Sequence, residues 1–521
     1  MKQKILILLQ QIKNKLRAWP KTTAFGLGLL LTAALPPYHQ FWAVFASFSG
    51  ALYLCYHTER RLSLAALGYW FGFAYFAFGL SWIGNALLVD ADKTGWLYPI
   101  CLFAGGAFFG LFTIFPFVMT SFNKNIYGKI LLFAGGWLLV TEWLRGFILT
   151  GFPWNPISST LAFRPAFLQT AAIWGTYGLS MVLIIIASLP AVCLLKPTGK
   201  NLLSIVASFI LTVVLWGYGD YILLYKIENI SEAQSIMIRL VQPSIAQSMK
   251  WDKEELEKNL TQYIEMSTMR DNHYIDFIVW GETASPFDLT YDNFHKRKLL
   301  RAVPKYGYLV SGFLRYENDG DRLIPYNSFA VMDRKGHIVD FYDKNHLVPF
   351  GEYIPFRQHL PSKIQPLANT VSEFGRGEKY KTIRIADHPE FAPLICYEII
   401  FSGEVVRRQN KPKWMILLTN DGWYGLSSGP YQHLVAAQMR AVEEGISIVR
   451  SANSGISAVI TPYGQILGRI GLAEKGISDV ALKPDLAHPT LFGRYGNTIP
   501  LTMGLLMILI GLLPRLRRLQ N

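Results

Sequence analysis

Pro393-Leu394-Ile395-Cys396-Tyr397-Glu398 reads as a short apolar strand that ends on a cysteine and runs straight into a carboxylate. A thiol at a strand end is a candidate nucleophile, because strand ends are where an α/β domain presents reacting side chains. Three other cysteines, Cys55, Cys101 and Cys193, lie inside apolar runs, where cysteine usually acts as a small buried hydrophobe. Cys396 is the only one in a polar part of the chain. No Cys-x-x-Cys pair and no Cys/His cluster with zinc-ligand spacing accompanies it.

The surroundings of that polar part are membrane-like. The chain has 521 residues, 17% charged and 51% hydrophobic, with 33 Phe, 26 Tyr and 14 Trp. That balance points to membrane spans in a chain of more than one domain. Seven apolar runs precede residue 226, at about 22–35, 41–57, 63–88, 96–121, 128–146, 167–195 and 202–225, and an eighth covers about 497–514. Most reach the ~20 residues a helix needs to cross a bilayer. The net charge of +14 would suit nucleic acid, but much of it sits beside the apolar runs, so it reads as topology signal and no nucleic-acid partner is expected. Arg60, Arg61, Lys124, Lys129, Lys196, Lys200, Arg515, Arg517 and Arg518 fall on the side of the basic N-terminus. The opposite connections hold little beyond Lys93, Arg145 and Arg164. Positive-inside bias then puts both termini in the cytoplasm and segment 226–495 outside. Residues 1–21, with Lys2, Lys4, Lys13, Lys15, Arg17 and Lys21, read as a basic amphipathic segment on the inner face rather than a cleaved leader.

Three domains are therefore expected: 1–225 with seven spans, an exported domain 226–495, and a final span with its tail at 496–521. Cys396 becomes the sole exported thiol, with no intramolecular disulfide partner, which leaves intermolecular pairing or a free thiol. Within 226–495, strands are predicted at 236–241, 277–280, 308–313, 328–332, 337–342, 392–396, 415–420, 447–451, 457–461 and 465–470. Helices are predicted at 252–270, 293–302 and 431–444. That pattern implies an α/β domain with helices on sheet faces. The weakly patterned stretch 355–380 reads either as a lid or as a surface insertion.

A thiol needs a base or a cation to become a nucleophile. Trp280-Gly281-Glu282 ends one predicted strand with a carboxylate suited to a general base. Tyr342-Asp343-Lys344 puts an ammonium after another, where it would stabilise the oxyanion of a tetrahedral intermediate. Base, cation and nucleophile at three strand ends make an α/β active site.

The order Glu282, Lys344, Cys396 resembles the Glu-Lys-Cys triad of the nitrilase superfamily. The whole arrangement is similar to the apolipoprotein N-acyltransferases of bacterial inner membranes, a membrane-embedded branch. Supporting stretches are Gly151-Phe152-Pro153-Trp154, Val241-Gln242-Pro243 with Lys250-Trp251, Trp280-Gly281-Glu282-Thr283, and Leu347-Val348-Pro349-Phe350-Gly351-Glu352-Tyr353. Others are Cys396-Tyr397-Glu398, Thr419-Asn420-Asp421 with Trp423 and Gly425, and Gly429-Pro430 with Gln432-His433. Gly422 and Tyr424 stand where the family often has alanine and phenylalanine, departures expected to touch loop packing alone.

The resemblance implies an exported nitrilase-like α-β-β-α sandwich beside eight transmembrane helices. It implies Glu282 as base, Lys344 as oxyanion stabiliser and Cys396 as the acylated nucleophile. Glu352 and Glu398 would hold Lys344 and the thiol, Tyr397 would shape the site, and Trp251 would line the acyl-chain portal. It further implies a phospholipid acyl donor, an apolipoprotein acceptor and no cofactor or metal. Two rivals remain on the residues: a membrane-tethered nitrilase-type amidohydrolase, and a transporter or scaffold with an inactive domain. Few charges lie within the spans, Glu142 and Arg145 being the main exceptions, which speaks against a transporter. Gly425-Leu426-Ser427-Ser428-Gly429 matches a serine-hydrolase pattern, but a Gly-rich loop precedes it and Pro430 follows, so a serine nucleophile is not expected. Lys196-Pro197-Thr198-Gly199-Lys200 lacks the first glycine of a phosphate loop.

Overall fold

Apolar runs as long as those before residue 226 can satisfy their backbone in a membrane only as helices. The computed structural model, which describes residues 14, 17–225, 235–320, 322–361, 365–368 and 372–513, makes each run helical. The basic residues Lys2, Lys4, Lys13, Lys15, Arg515, Arg517 and Arg518 lie outside the described residues. The chain divides into two compact units, one formed by Met1–Gly84, Trp96–Leu224 and Tyr495–Asn521, the other by Asn85–Gly95 and Tyr225–Arg494.

Among the described residues, four helices are long and apolar enough to cross a membrane by length and composition: Arg61–Gly79, Ala91–Phe122, Ala171–Leu195 and Gly199–Tyr225. Trp42–Tyr56 and Thr498–Leu512 are shorter apolar helices. The run at 128–146 is helical but not uniformly α. It is α-helical over Ile126–Gly136, then widens into a π-turn at Trp137–Trp143. Small residues allow close helix approach: a Cβ on Gly72 would lie 1.9 Å from the Thr113 hydroxyl, which itself donates to the Gly68 carbonyl at 2.7 Å. Glu142 and Arg145 are buried and bonded locally. Glu142 accepts the Ile157 N–H at 2.8 Å and Arg145 donates to the Thr141 carbonyl at 2.7 Å.

The described residues of the second unit form twelve strands: β1 (Ile236–Gln242), β2 (Phe277–Val279), β3 (Tyr308–Asn318), β4 (Leu323–Met332), β5 (Ile338–Asp343), β6 (Ile383–Ile385), β7 (His388–Ile395), β8 (Trp414–Thr419), β9 (Ser447–Ala452), β10 (Ser457–Ile460), β11 (Ile466–Ile470) and β12 (Gly476–Leu482). They form two six-stranded sheets, ordered β12-β1-β2-β3-β4-β5 and β11-β10-β9-β8-β7-β6. Alternate residues of both sheets, among them Ile238, Phe277, Val331, Phe391, Trp414 and Val459, share one buried core between them. The opposite face of the first sheet is covered by helix Leu256–Thr268 through Leu260, Tyr263 and Ile264, and by Leu299 at the end of helix Asn293–Leu299. Helix Gly429–Glu444 packs against β9 and β10. The layering is helix, sheet, sheet, helix.

Ten strands and three helices occupy the predicted places, with shifted ends. The sequence reading misses β6, which is only three residues long, and β12. β12 mixes polar and apolar residues because it closes an edge: it pairs antiparallel with β1, and Asp479 takes an ion pair from buried Arg239 at 2.7 Å. Of the stretch 355–380, residues 362–364 and 369–371 lie outside the described ones. Its flanks are tied down, with Leu367 and Ala368 N–H donating to the Phe350 and Gly351 carbonyls at 3.0 Å each, and Phe374 N–H to the Glu352 carbonyl at 3.0 Å.

Candidate active site

Cys396 is the first residue past β7 and has φ +50°. A non-glycine residue in the left-handed region is strained, and here it turns the chain from strand into the helical turn Cys396–Ile400. The thiol is free and 5% exposed. Glu282 reaches the same region by close backbone approach. A Cβ on Gly281 would lie 2.9 Å from the Asn453 nitrogen, and one on Gly312 would lie 2.4 Å from the Thr283 nitrogen, so only glycines let these strand ends meet. Lys344 follows β5, whose register sets Asp343 opposite Ser328, and its own N–H donates to the Asn327 carbonyl at 2.9 Å.

These placements assemble a buried charge cluster. The Lys344 ammonium, 1% exposed, donates to Glu352 Oε1 at 2.9 Å and sits 3.6 Å from Glu282 Oε1. Asn327 Nδ2 donates to both carboxylates, at 2.7 Å to Glu282 and 3.1 Å to Glu352. Two acceptor-only neighbours fix which end of that amide is nitrogen. Glu352 Oε2 accepts the Val348 N–H at 2.8 Å. Burial works against the Lys344 charge, yet Glu352 and Glu282 outweigh it and hold the ammonium above its usual range. Burial pushes the Cys396 thiol up to about 12, Glu282 adds to that and Lys344 opposes it. At rest the Cys396 side chain is therefore a protonated thiol.

Glu398 reaches both neighbours through their backbone. Its Oε1 accepts from the Tyr342 hydroxyl at 2.6 Å, Asn345 N–H at 2.9 Å and His346 N–H at 3.1 Å, and its Oε2 from Ile395 N–H at 2.8 Å. It pins the backbone beside Lys344 to the backbone beside Cys396 and bonds neither side chain among these contacts. Tyr397 is buried, with its ring 5.6 Å from His346 and 5.3 Å from Phe401. Trp251 is 38% exposed, with the Lys250 ammonium 5.9 Å from its ring centre.

Four residues were missed or undervalued. Asn327 carries no signal in sequence, since an asparagine inside a strand usually reads as an edge or bulge position. Lys250 was noted beside Trp251 only as part of a motif, yet it is buried, donating to the Glu282 carbonyl at 2.8 Å and the Thr283 hydroxyl at 2.7 Å. Burial lowers its affinity for a proton to a pKa of about 8, with Glu282 and Cys396 opposing. Asp421 holds a buried network: Arg450 donates to its Oδ2 at 2.6 Å, and His433 Nδ1 lies 2.9 Å from its Oδ1 while Nε2 lies 3.1 Å from the Cys396 carbonyl. Tyr424 is not confined to loop packing, because its hydroxyl lies 3.9 Å from Cys396 Sγ. A Cβ on Gly422 would lie 3.0 Å from Gln247 Oε1, a tight fit for alanine. Ser427 is not set up as a nucleophile: no strand precedes it, and its hydroxyl donates to the Tyr424 carbonyl at 2.7 Å. The helix predicted at 431–444 begins two residues earlier, at Gly429, because a proline in the first turn costs no helical hydrogen bond.

Comparison with known proteins covers both units. Residues 237–490 match the carbon-nitrogen hydrolase family, and residues 27–189 match the apolipoprotein N-acyltransferase N-terminal domain. Proteins named apolipoprotein N-acyltransferase from Brucella melitensis and Rhodopseudomonas palustris are 37% and 34% identical, covering 96% and 94% of this chain and 97% and 94% of their own. The one from Rickettsia typhi is 33% identical over 92% of this chain and 95% of its own. With identity at this level along almost the whole chain, and with both family models matched, the chain belongs to the apolipoprotein N-acyltransferase family.

Proposed function

We propose that this chain moves an acyl group from a membrane phospholipid to the α-amine of the N-terminal diacylglyceryl-cysteine of apolipoproteins, through a thioester on Cys396. The buried cluster Lys344–Glu352–Asn327–Glu282 beside a strained strand-end cysteine carries this reading. Glu282 takes the thiol proton as sulfur attacks the ester carbonyl. Lys344, kept cationic by Glu352, faces the oxyanion of the tetrahedral intermediate. Collapse expels the lysophospholipid alkoxide, which leaves with the proton from Glu282. The apolipoprotein amine then attacks the thioester, Glu282 accepts its proton, and the thiolate departs and is reprotonated. Glu352 and Glu398 hold the cluster and its backbone, Tyr397 walls the site, and Trp251 lines the acyl-chain portal.

Eight membrane crossings, with seven in 1–225 and one in 496–521, would put both termini in the cytoplasm and 226–495 in the periplasm. The charge placement around the apolar runs supports that orientation. It also gives the membrane part a physical purpose: both substrates are lipid-anchored, so an enzyme held at the same leaflet meets them in two dimensions. A tethered amidohydrolase is not favoured, because the relatives named for N-acyl transfer match both parts of the chain.

The test is to incubate the purified full chain in detergent with phospholipid carrying a labelled acyl chain. Label on Cys396 that is chased by a diacylglyceryl lipopeptide amine and survives in water is the expected result. Label retained in Cys396→Ala, or discharged by water as fast as by amine, refutes the reading.

A further inference from the structure

We propose that Tyr424 is a further catalytic residue, whose hydroxyl hydrogen-bonds the Cys396 sulfur as it carries negative charge during attack and departure. The proposal rests on the thioester reading above. Its warrant is geometric. Sγ is the atom that gains charge when the thiol proton leaves and again when the amine displaces it. The Tyr424 hydroxyl is 3.9 Å from Sγ, long for a neutral thiol and within reach of the shorter bond a thiolate draws. The ring stands edge-on to His433, 6.0 Å between centres, and His433 lies 3.1 Å from the Cys396 carbonyl. The same segment therefore touches the nucleophile at its side chain and its backbone.

The position of that hydroxyl is fixed from a distance. Asn85, in the excursion Asn85–Gly95 that belongs to the same compact unit, donates its Nδ2 to the Tyr424 carbonyl at 2.8 Å. Ser427 donates to that carbonyl too, at 2.7 Å. Gly425, the next residue, has φ +60°, so the chain turns sharply after Tyr424. Asn85 is thus a positioning residue acting through Tyr424. Burial, then the nearby Cys396 and Asp421 charges, keep the phenol protonated well past the usual tyrosine range, so it remains a donor whenever sulfur is anionic.

No covalent bond of Tyr424 changes. In acylation the S–H proton goes to Glu282, the S–C bond forms, and the ester C–O bond breaks with its proton returned from Glu282. In transfer the N–C bond forms, the C–S bond breaks, and the departing thiolate accepts the Tyr424 hydrogen bond until it is reprotonated. The phenol lowers the cost of charge on sulfur in both steps without itself ionising.

The test uses Tyr424→Phe in the full chain, with two readouts. The first is single-turnover acylation by labelled phospholipid, expected to slow by about 10- to 100-fold, the range for one hydrogen bond to a charged group. The second needs no substrate: the S–H stretching band of Cys396, isolated in the infrared as the difference between the chain and its Cys396→Ala variant. It is expected to move when the phenol is removed. Acylation unchanged within about twofold overturns the proposal whatever the band does, and a moved band in that case makes Tyr424 a packing neighbour. A slowing that comes with a lowered melting temperature and an unmoved band marks a structural role and also overturns it. Absence of acyl-enzyme in the unaltered chain refutes the thioester reading instead, while the band still reports the Tyr424 contact. If Tyr424→Phe does not fold, Asn85→Ala replaces it, with a smaller band shift and a smaller slowing expected; no change in either refutes the arrangement.

Discussion

Replacing Asn327 with leucine removes one amide donor from between two carboxylates and leaves the shape of the side chain nearly intact. The Asn327 backbone carbonyl still receives the Lys344 N–H at 2.9 Å, so the β4–β5 edge is undisturbed. What is lost is the bond to Glu282 at 2.7 Å and the bond to Glu352 at 3.1 Å. A hydrogen bond to a charged group is worth about 1.5–3 kcal/mol. On the proposed mechanism Glu282 takes the thiol proton, so loss of the shorter bond leaves that carboxylate less firmly held by the same amount, a factor of about 10–100 in the acylation rate. The assay is single-turnover labelling of Cys396 from phospholipid at neutral pH, with the melting temperature measured alongside. A rate within about twofold of the unaltered chain in a folded Asn327→Leu variant refutes the claim that Asn327 holds the carboxylates for the reaction.

Two more outcomes follow from buried charges. Lys250 is brought down to a pKa of about 8 by burial, from an ordinary 10.5, and it hydrogen-bonds two neutral oxygens, the Glu282 carbonyl and the Thr283 hydroxyl. Between those values the unfolded chain holds a proton that the folded chain has released, so folding gains stability as pH rises through the window. Lys250→Met removes that gain, on the order of 3 kcal/mol from the size of the shift. Melting temperatures of the two proteins at pH 7.5 and 9.5 should show the unaltered chain gaining on the variant; parallel behaviour refutes it. Asp421 lies far below the ordinary carboxylate range: burial opposes its charge, but Arg450 and His433 overcome it. Asp421→Asn leaves the Arg450 guanidinium buried without its carboxylate and should destabilise the protein by about 3–5 kcal/mol. Chemical denaturation reads this directly, and a loss under 1 kcal/mol would show that the network contributes little.

The apolar runs were legible because length and composition alone favour an apolar helix, and each run is helical. The π-turn inside the run at 128–146 was not legible, because a window of hydropathy does not register helical pitch. Most strands of the sandwich showed in their alternation of apolar residues. β6 and β12 did not, being short in one case and half-polar in the other.

The residues of the site divide along the same line. Cys396, Lys344 and Glu282 stand at the ends of apolar strands, and that local pattern with their chemistry was enough to single them out from the sequence. Asn327, Lys250 and Tyr424 sit in unremarkable sequence. Their importance arises only when sheet register sets Asn327 beside Lys344, when burial strips water from Lys250, and when the fold brings the Tyr424 phenol to the Cys396 sulfur. Pattern and residue type are local properties, written in the order of the chain. Burial, register and the distance between charges are properties of the packed whole, and the energetics of the thiol depend on all three.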